Sequence, residues 1–205
     1  MTTTATEAAA VARSQLWALL GEALSFPTAA LASRIRSGGF RASLSQVEAA
    51  LPYRLTADTT SLHLPGLDDR ELQAEFIRLF DAPAGGTPCP LYAGVYASNR
   101  RDAMEEILRF YRHFGLTSAG SRDLPDSLPT MCEFLQFLTY RESLSDGDER
   151  AQLRAAQRDF LARHLVRWAE QTESRLAGRE PLPLYRDLIA IAGMVISAEL
   201  IELAS

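Results

Sequence analysis

Pro125-Asp-Ser-Leu-Pro-Thr-Met-Cys-Glu-Phe-Leu-Gln-Phe-Leu138 is the stretch that decides the fold class. Asp126 or Ser127 starts a helix, because a short polar side chain there can accept from the first-turn N–H groups that have no partner within the helix. Pro129 is tolerated in that turn, where its missing N–H costs nothing. Leu128, Met131, Cys132, Leu135 and Leu138 then recur at intervals of three and four and form one apolar stripe. Phe134 and Phe137 widen it, and Glu133, Gln136 and Tyr140 keep the remaining side.

The same period extends in both directions. Upstream, residues 5 to 24 are Ala/Leu-rich at helical spacing and are closed by Phe26-Pro27. Short helices follow over 28 to 36, stopped by Gly38-Gly39, and over 43 to 51, stopped by Pro52. Residues 53 to 65 carry no pattern and read as a loop. Asp68 or Asp69 can cap a helix through Leu72, Phe76, Leu79 and Phe80. It ends before Pro83, because residues 82 to 90 hold three prolines and two glycines and cannot continue it. From about Asn99, the residues Met104, Ile107, Leu108, Tyr111 and Phe114 make another stripe, and Gly115 is placed to end it.

Downstream of a loop over 118 to 125 and of the opening helix, Ser145-Asp-Gly-Asp148 is a turn. A helix from about 148 to 176 sets Leu153, Phe160, Leu161, His164, Leu165 and Trp168 on one face, with Gly178 as its cap. A last helix over 184 to 203 is apolar nearly all round, which places it centrally. No alternating strand pattern and no internal repeat occur. The expectation is an all-α chain, residues 1–205 forming a single-domain helical bundle.

Composition excludes several classes. The net charge is −5 and every basic residue is Arg, so no Lys/Arg run offers the footprint of a nucleic-acid binder. The first ten residues lack the basic and apolar regions of a signal peptide. The most apolar window, 188 to 198, is too short to span a bilayer. Cys89 and Cys132 are far apart and form no CxxC, which fits a reduced, cytoplasmic setting.

Chemistry is sparse. His63, His113 and His164 are isolated, and no HExxH or Cys/His cluster points to a metal. His164 reads as a partly buried, hydrogen-bonded residue, and His113 as a side chain opposing a helix dipole. No GxSxG, Walker loop or GxGxxG occurs; Gly115-Leu-Thr-Ser-Ala-Gly120 lacks the Lys and the preceding strand of a phosphate loop. Nothing in the sequence activates Cys89. Glu133 reads as the solvated edge of its helix, and Asp126 has a full explanation as a cap. Two readings of the segment Pro90-Leu-Tyr-Ala-Gly-Val-Tyr96 stand together. Its Leu91, Tyr92, Val95 and Tyr96 are core anchors, or its tyrosines serve peptide recognition, burying ring area with the hydroxyl still usable.

Three motifs in order carry a resemblance. Glu75-Phe-Ile-Arg-Leu-Phe80 leads through a Pro/Gly loop into Pro90-Leu-Tyr-Ala-Gly-Val-Tyr96; Pro125-Asp-Ser-Leu-Pro leads into Glu133-Phe-Leu-Gln-Phe-Leu138; and Phe160-Leu-Ala-Arg-His-Leu-Val-Arg-Trp168 precedes Pro183-Leu-Tyr-Arg-Asp-Leu188. Together, over roughly residues 68 to 200, they resemble the TorD/DmsD/NarJ family of molybdoenzyme maturation chaperones, closest to the branch serving type II dimethyl-sulfoxide-reductase-like enzymes. Ser127 departs from the family's Pro-Asp-His motif, which puts a His-dependent site in doubt. The resemblance implies a non-enzymatic cytoplasmic chaperone with no cofactor or metal of its own, monomeric or dimeric. It implies binding to the twin-arginine leader and apo form of a molybdopterin oxidoreductase catalytic subunit until cofactor insertion, before export. Pro90, Tyr92, Tyr96, Phe134 and Phe137 would then give the apolar part of a client groove and Asp126, Ser127 and Glu133 its polar part, with the carboxylates pairing to Arg. The competing expectations are an all-α enzyme of unrecognised type and a regulatory interaction module.

Overall fold

A computed structural model describes residues 2–81, 86–117 and 123–205. The connections expected over 82 to 90 and 118 to 125, and the glycine run ending at Gly120, therefore lie partly outside the described residues. Within them the chain is all-α, in the order α1 (Thr2–Ala23), α2 (Ala29–Ser37), α3 (Gly39–Glu48), α4 (Asp69–Phe76), α5 (Arg100–His113), α6 (Leu128–Leu144), α7 (Gly147–Phe160), α8 (Val166–Ala177) and α9 (Pro183–Ala204). The only β feature among these residues is an isolated antiparallel bridge between Tyr92 and Ser127. No described helix is long and apolar enough to cross a membrane.

Local chemistry accounts for the helix boundaries. Thr28 caps α2 by accepting from the Leu31 N–H at 3.2 Å. Gly38, at φ +77°, ends α2 and at once begins α3, so α3 starts at Gly39 and not near Ser43. A glycine can take this left-handed geometry without strain, so one residue serves as both stop and start. Asp68 caps α4 through the Arg70 and Glu71 N–H groups, and Asn99 caps α5. At α6 the cap is Ser127, whose Oγ accepts from the Thr130 N–H. Asp126 does not cap: its side chain points away from the helix into the interior. Gly178 ends α8 at φ −87°, so no left-handed cap forms there.

The long helix expected over 148 to 176 is instead α7 and α8 joined by a π-helical turn, Leu161–Leu165. A second π turn, Ile77–Asp81, follows α4. Such turns insert an extra residue and rotate the following side chains, and they recur at functional sites.

Antiparallel α1 and α6 form the tightest pair. A Cβ on Gly21 would lie 3.2 Å from the Cys132 Cβ, and Ser14 Oγ donates to the Gln136 carbonyl across the same seam. α9 packs centrally, with Leu184, Leu188, Ile189, Ile191, Ala192, Val195 and Ile196 all buried.

α9 is not simply apolar, however, because it buries Glu199. Arg13 of α1 reaches that carboxylate through Nε at 2.9 and 3.0 Å and Nη2 at 2.7 Å. Its Nη1 donates to both oxygens of Glu142 on α6, and its Nη2 also donates to Gln157 Oε1 on α7. Gln157 Nε2 donates in turn to Glu142, Arg154 pairs with Glu142 and Glu202, and the Tyr53 hydroxyl donates to Glu199. Arg13, Glu142 and Glu199 are at most 1% exposed, so these bonds form in a low-dielectric core. Burial alone would lower the Arg13 pKa, but Glu199 and Glu142 outweigh it and the guanidinium is held above its ordinary value.

Candidate functional site

The 91–97 segment is fastened to the start of α6 by two backbone bonds: Ala93 N–H to the Asp126 carbonyl at 2.9 Å, and Leu128 N–H to the Leu91 carbonyl at 2.8 Å. The Tyr111 hydroxyl donates to the Pro125 carbonyl at 2.7 Å and holds the same corner from the α5 side. Ala93–Tyr96 is a single 3₁₀ turn. The Tyr96 ring is buried beneath the Arg175 guanidinium, 4.6 Å from the ring centre, and its hydroxyl donates to the Pro90 carbonyl. Tyr96 is thus the core anchor, and Tyr92 remains half-buried at the surface.

Tyr92 borders a groove of about 360 Å³ whose lining includes Leu24, Phe26, Phe76, Phe80, Leu91 and Ser127. Its apolar wall is a chain of edge-to-face rings: Phe26 to Phe76 at 5.7 Å, Phe76 to Phe80 at 5.2 Å, and Phe80 to Tyr185 at 5.2 Å. Phe26 is half exposed. The π turn after α4 brings Phe80 and Asp81 to this wall together. Asp123 lines the groove as well. Burial raises the Tyr92 pKa first, and the charges of Asp81, Asp123 and Asp126 raise it further while Arg100 opposes them. The hydroxyl therefore sits in a negative field, next to an aromatic surface.

A second groove of about 230 Å³ lies on the other side of the α6 start, with Tyr111, Leu116, Thr130, Glu133, Phe134 and Phe137 on its walls and Asp123 shared with the first. Phe134 is buried within a ring cluster that includes Tyr111 at 4.8 Å and Phe160 at 4.7 Å, so it forms the floor. Phe137 is half-buried and Glu133 exposed.

The eight residues singled out from the sequence thus converge on one corner but play unequal parts. Tyr92, Ser127, Glu133, Phe134 and Phe137 line the two grooves; Pro90 and Tyr96 support the first from behind. Asp126 is wholly buried. Sequence reasoning missed Phe26, which looked only like a helix terminator, Asp81, the last residue of the π turn, and Asp123, which lies in a connection without a periodic signal. The recurrence of Phe76 and Phe80 was visible but read only as a helical stripe.

Elsewhere, His164 is buried, and its Nε2, 3.9 Å from Glu106, makes no hydrogen bond. Burial depresses its pKa. Burial pushes the Cys132 thiol up to about 12 and raises that of Cys89, so both are poor nucleophiles. No group of three or more His, Cys, Asp or Glu able to hold a metal occurs among the described residues.

Residues 38–173 match the family model described as nitrate reductase delta subunit. The chain is 37% identical over 121 residues to the chlorate reductase assembly chaperone protein of Ideonella dechloratans, an alignment covering 57% of this chain and 63% of that one. It is 29% identical over 203 residues to the perchlorate reductase assembly chaperone protein of Dechloromonas aromatica, covering 94% and 90%. A solved structure from Archaeoglobus fulgidus, whose name suggests redox enzyme maturation, superposes with a TM-score of 0.52 at 18% identity over 94% of each chain, which shows a shared fold.

Proposed function

We propose that this chain, which belongs to the nitrate reductase delta subunit family, is an assembly chaperone for a redox enzyme and not a catalyst. It is the family group that the three sequence motifs resembled. Its client is the apo catalytic subunit of a molybdopterin oxidoreductase of the type II dimethyl-sulfoxide-reductase-like branch. The chaperone holds that subunit in the cytoplasm through its N-terminal twin-arginine leader until cofactor is inserted. Residues 1–205 act as one domain in this role.

The observation that carries the leader reading is the groove beside Tyr92, where an aromatic wall of Phe26, Phe76 and Phe80 meets the carboxylates of Asp81 and Asp123. A twin-arginine leader presents two adjacent guanidiniums and an apolar body. Apolar area lost from water supplies non-directional affinity, and carboxylates supply the charge-assisted pairing that guanidiniums match best. Asp123, common to both grooves, lets a bound segment turn across the α6 start with its basic head in contact throughout.

Calorimetric titration with a synthetic leader peptide tests this. Asp81→Asn with Asp123→Asn should weaken binding and flatten its salt dependence, and Phe26→Ala should weaken it without changing the salt slope. A leader peptide that binds wild type and all these variants alike would place the site elsewhere.

A further inference from the structure

Buried polar groups are nearly always satisfied, so a place where unsatisfied ones gather calls for an explanation. Among the described residues, seven buried side-chain nitrogen and oxygen atoms make no hydrogen bond. Two belong to α1 and α7, Trp17 Nε1 and Arg150 Nε; the other five surround the 91–97 segment. On one side are both carboxylate oxygens of Asp126. Gly94 presses on them so closely that a Cβ there would stand 2.6 Å from Oδ2, yet no donor bonds them, and Arg100 Nε stops at 3.7 Å. On the other side are His164 Nε2, Trp168 Nε1 and Thr172 Oγ1, in residues at most 6% exposed. These three follow at four-residue intervals along one face of the π turn and α8, both of which pack against Ala93–Tyr96. His164 shares a cavity of about 20 Å³ with Ala93, Gly94 and Ala97. Thr172 stands beside the Tyr96 hydroxyl, whose proton goes to the Pro90 carbonyl instead.

The segment is thus held by forces of opposite sign. Leu91, Ala93 and Tyr96 bury apolar area beneath it, and two backbone bonds tie it to the α6 start. Against these, five polar atoms on its seat have given up water and received no partner, each at a cost larger than an ordinary hydrogen bond returns. A half-satisfied polar seat is the reverse of what fixes a core element in a single position.

We propose that the 91–97 segment is a latch with two positions: seated, as here, and lifted, in which the two backbone bonds to α6 break and the five orphaned atoms are hydrated. Tyr92 rides on the segment and borders the first groove, so that groove changes shape as the latch moves. An occupant of the groove selects the position it fits and shifts the balance toward it. The latch is a property of the free chain and does not rest on the leader-binding reading above.

The test is native-state amide hydrogen exchange of the full chain, read residue by residue by NMR. Ala93 and Leu128 donate the two bonds that lifting breaks, and Leu128, at the first position of α6, has no acceptor within its helix. Their amides should share one opening constant, about tenfold or more above that of Leu135 in mid-α6, and nearly independent of low urea. Thr172→Val replaces the hydroxyl by a methyl of similar size, which removes one orphan without leaving a cavity. It should slow exchange at Ala93 and Leu128 about fivefold. His164→Phe, whose ring would stand among Phe110 and Phe160, should act in the same direction and decides the matter if the first variant folds poorly. Trp17→Phe removes an orphan nitrogen from α1 and should leave both amides as they are. Exchange at Ala93 and Leu128 that occurs only with Leu135 and with full urea dependence overturns the latch. So do folded Thr172→Val and His164→Phe proteins that protect these amides no better than wild type, or a Trp17→Phe protein that changes them as much.

Discussion

Replacing Arg13 by Met keeps the side-chain length and removes the cation at the centre of the buried network. Glu199 then retains only the Tyr53 hydroxyl as donor, whereas Glu142 keeps Gln157 and Arg154. At least one carboxylate that is 0% exposed is thus stranded without a counter-charge. Removing one partner of a buried ion pair costs about 3–5 kcal/mol. For a chain of this length each kcal/mol moves the melting temperature by about 2–4 °C, so the loss should appear as a drop of roughly 6–20 °C. Urea unfolding followed by far-UV circular dichroism, with a parallel thermal melt, measures both. Adding Glu199→Gln to Arg13→Met should recover part of the loss, because a neutral amide is cheaper to bury than a bare carboxylate. A single-variant loss below about 1 kcal/mol, or a double variant weaker than the single by the full cost of a second lesion, would refute the claim that charge compensation holds these four helices together.

Other outcomes follow from the same physics. Ile191→Asp, at a site 1% exposed, should cost several kcal/mol in urea unfolding. Burial, the largest influence, raises the Asp126 pKa, with Arg100 and nearby N–H groups opposing it. The folded state therefore holds that proton more tightly than the unfolded chain does, and stability is lost as pH rises from about 4 through the raised folded value. Asp126→Asn should remove this loss and be more stable than wild type near neutral pH, as read from urea midpoints across pH; a less stable variant at pH 7 would contradict the sign. Gly94→Ala should destabilise by about 1–3 kcal/mol through overpacking, since its Cβ would press on Asp126, and a melt within a degree of wild type would show that the turn has room. Tyr92→Ala should weaken leader binding by about 1–3 kcal/mol with an unchanged melt, whereas Tyr96→Ala should lower the melt because its ring is buried.

How much of this was legible in the sequence depended on whether the signal was periodic. The α4, α5 and α6 stripes repeat over several turns, capping chemistry fixed the starts of α4 and α6 to within about a residue, and Gly38 marked the end of α2. What the period cannot show is an extra residue per turn: Ile77–Asp81 and Leu161–Leu165 have the composition of ordinary helix and differ only in hydrogen bonding. Asp126 was misread because Asp and Ser are equivalent caps in sequence, and only the packing of Gly94 against the carboxylate decides that Ser127 takes the role. Glu199 looked like the end of an apolar window, since its partner lies almost a whole chain away. The groove was half legible for the same reason. Tyr92 and Phe137 stand in motifs, whereas Phe26, Asp81 and Asp123 come together only when α1, the turn after α4 and the approach to α6 meet.

The distance along the chain between Arg13 and Glu199, 186 residues, has a bearing on how the molecule is made. At about 5–20 residues per second, the ribosome adds Glu199 roughly ten to forty seconds after Arg13. Throughout that interval the first helix carries a cation whose three core partners arrive in turn, Glu142, then Gln157, then Glu199. The α1–α6 seam can close early with Arg13 seated on Glu142, but the second carboxylate, Glu199, joins the network only once α9 is made. A translation stall or nonsense codon before position 199 therefore yields a species in which Arg13 can still meet Glu142 but lacks its bonds to Glu199.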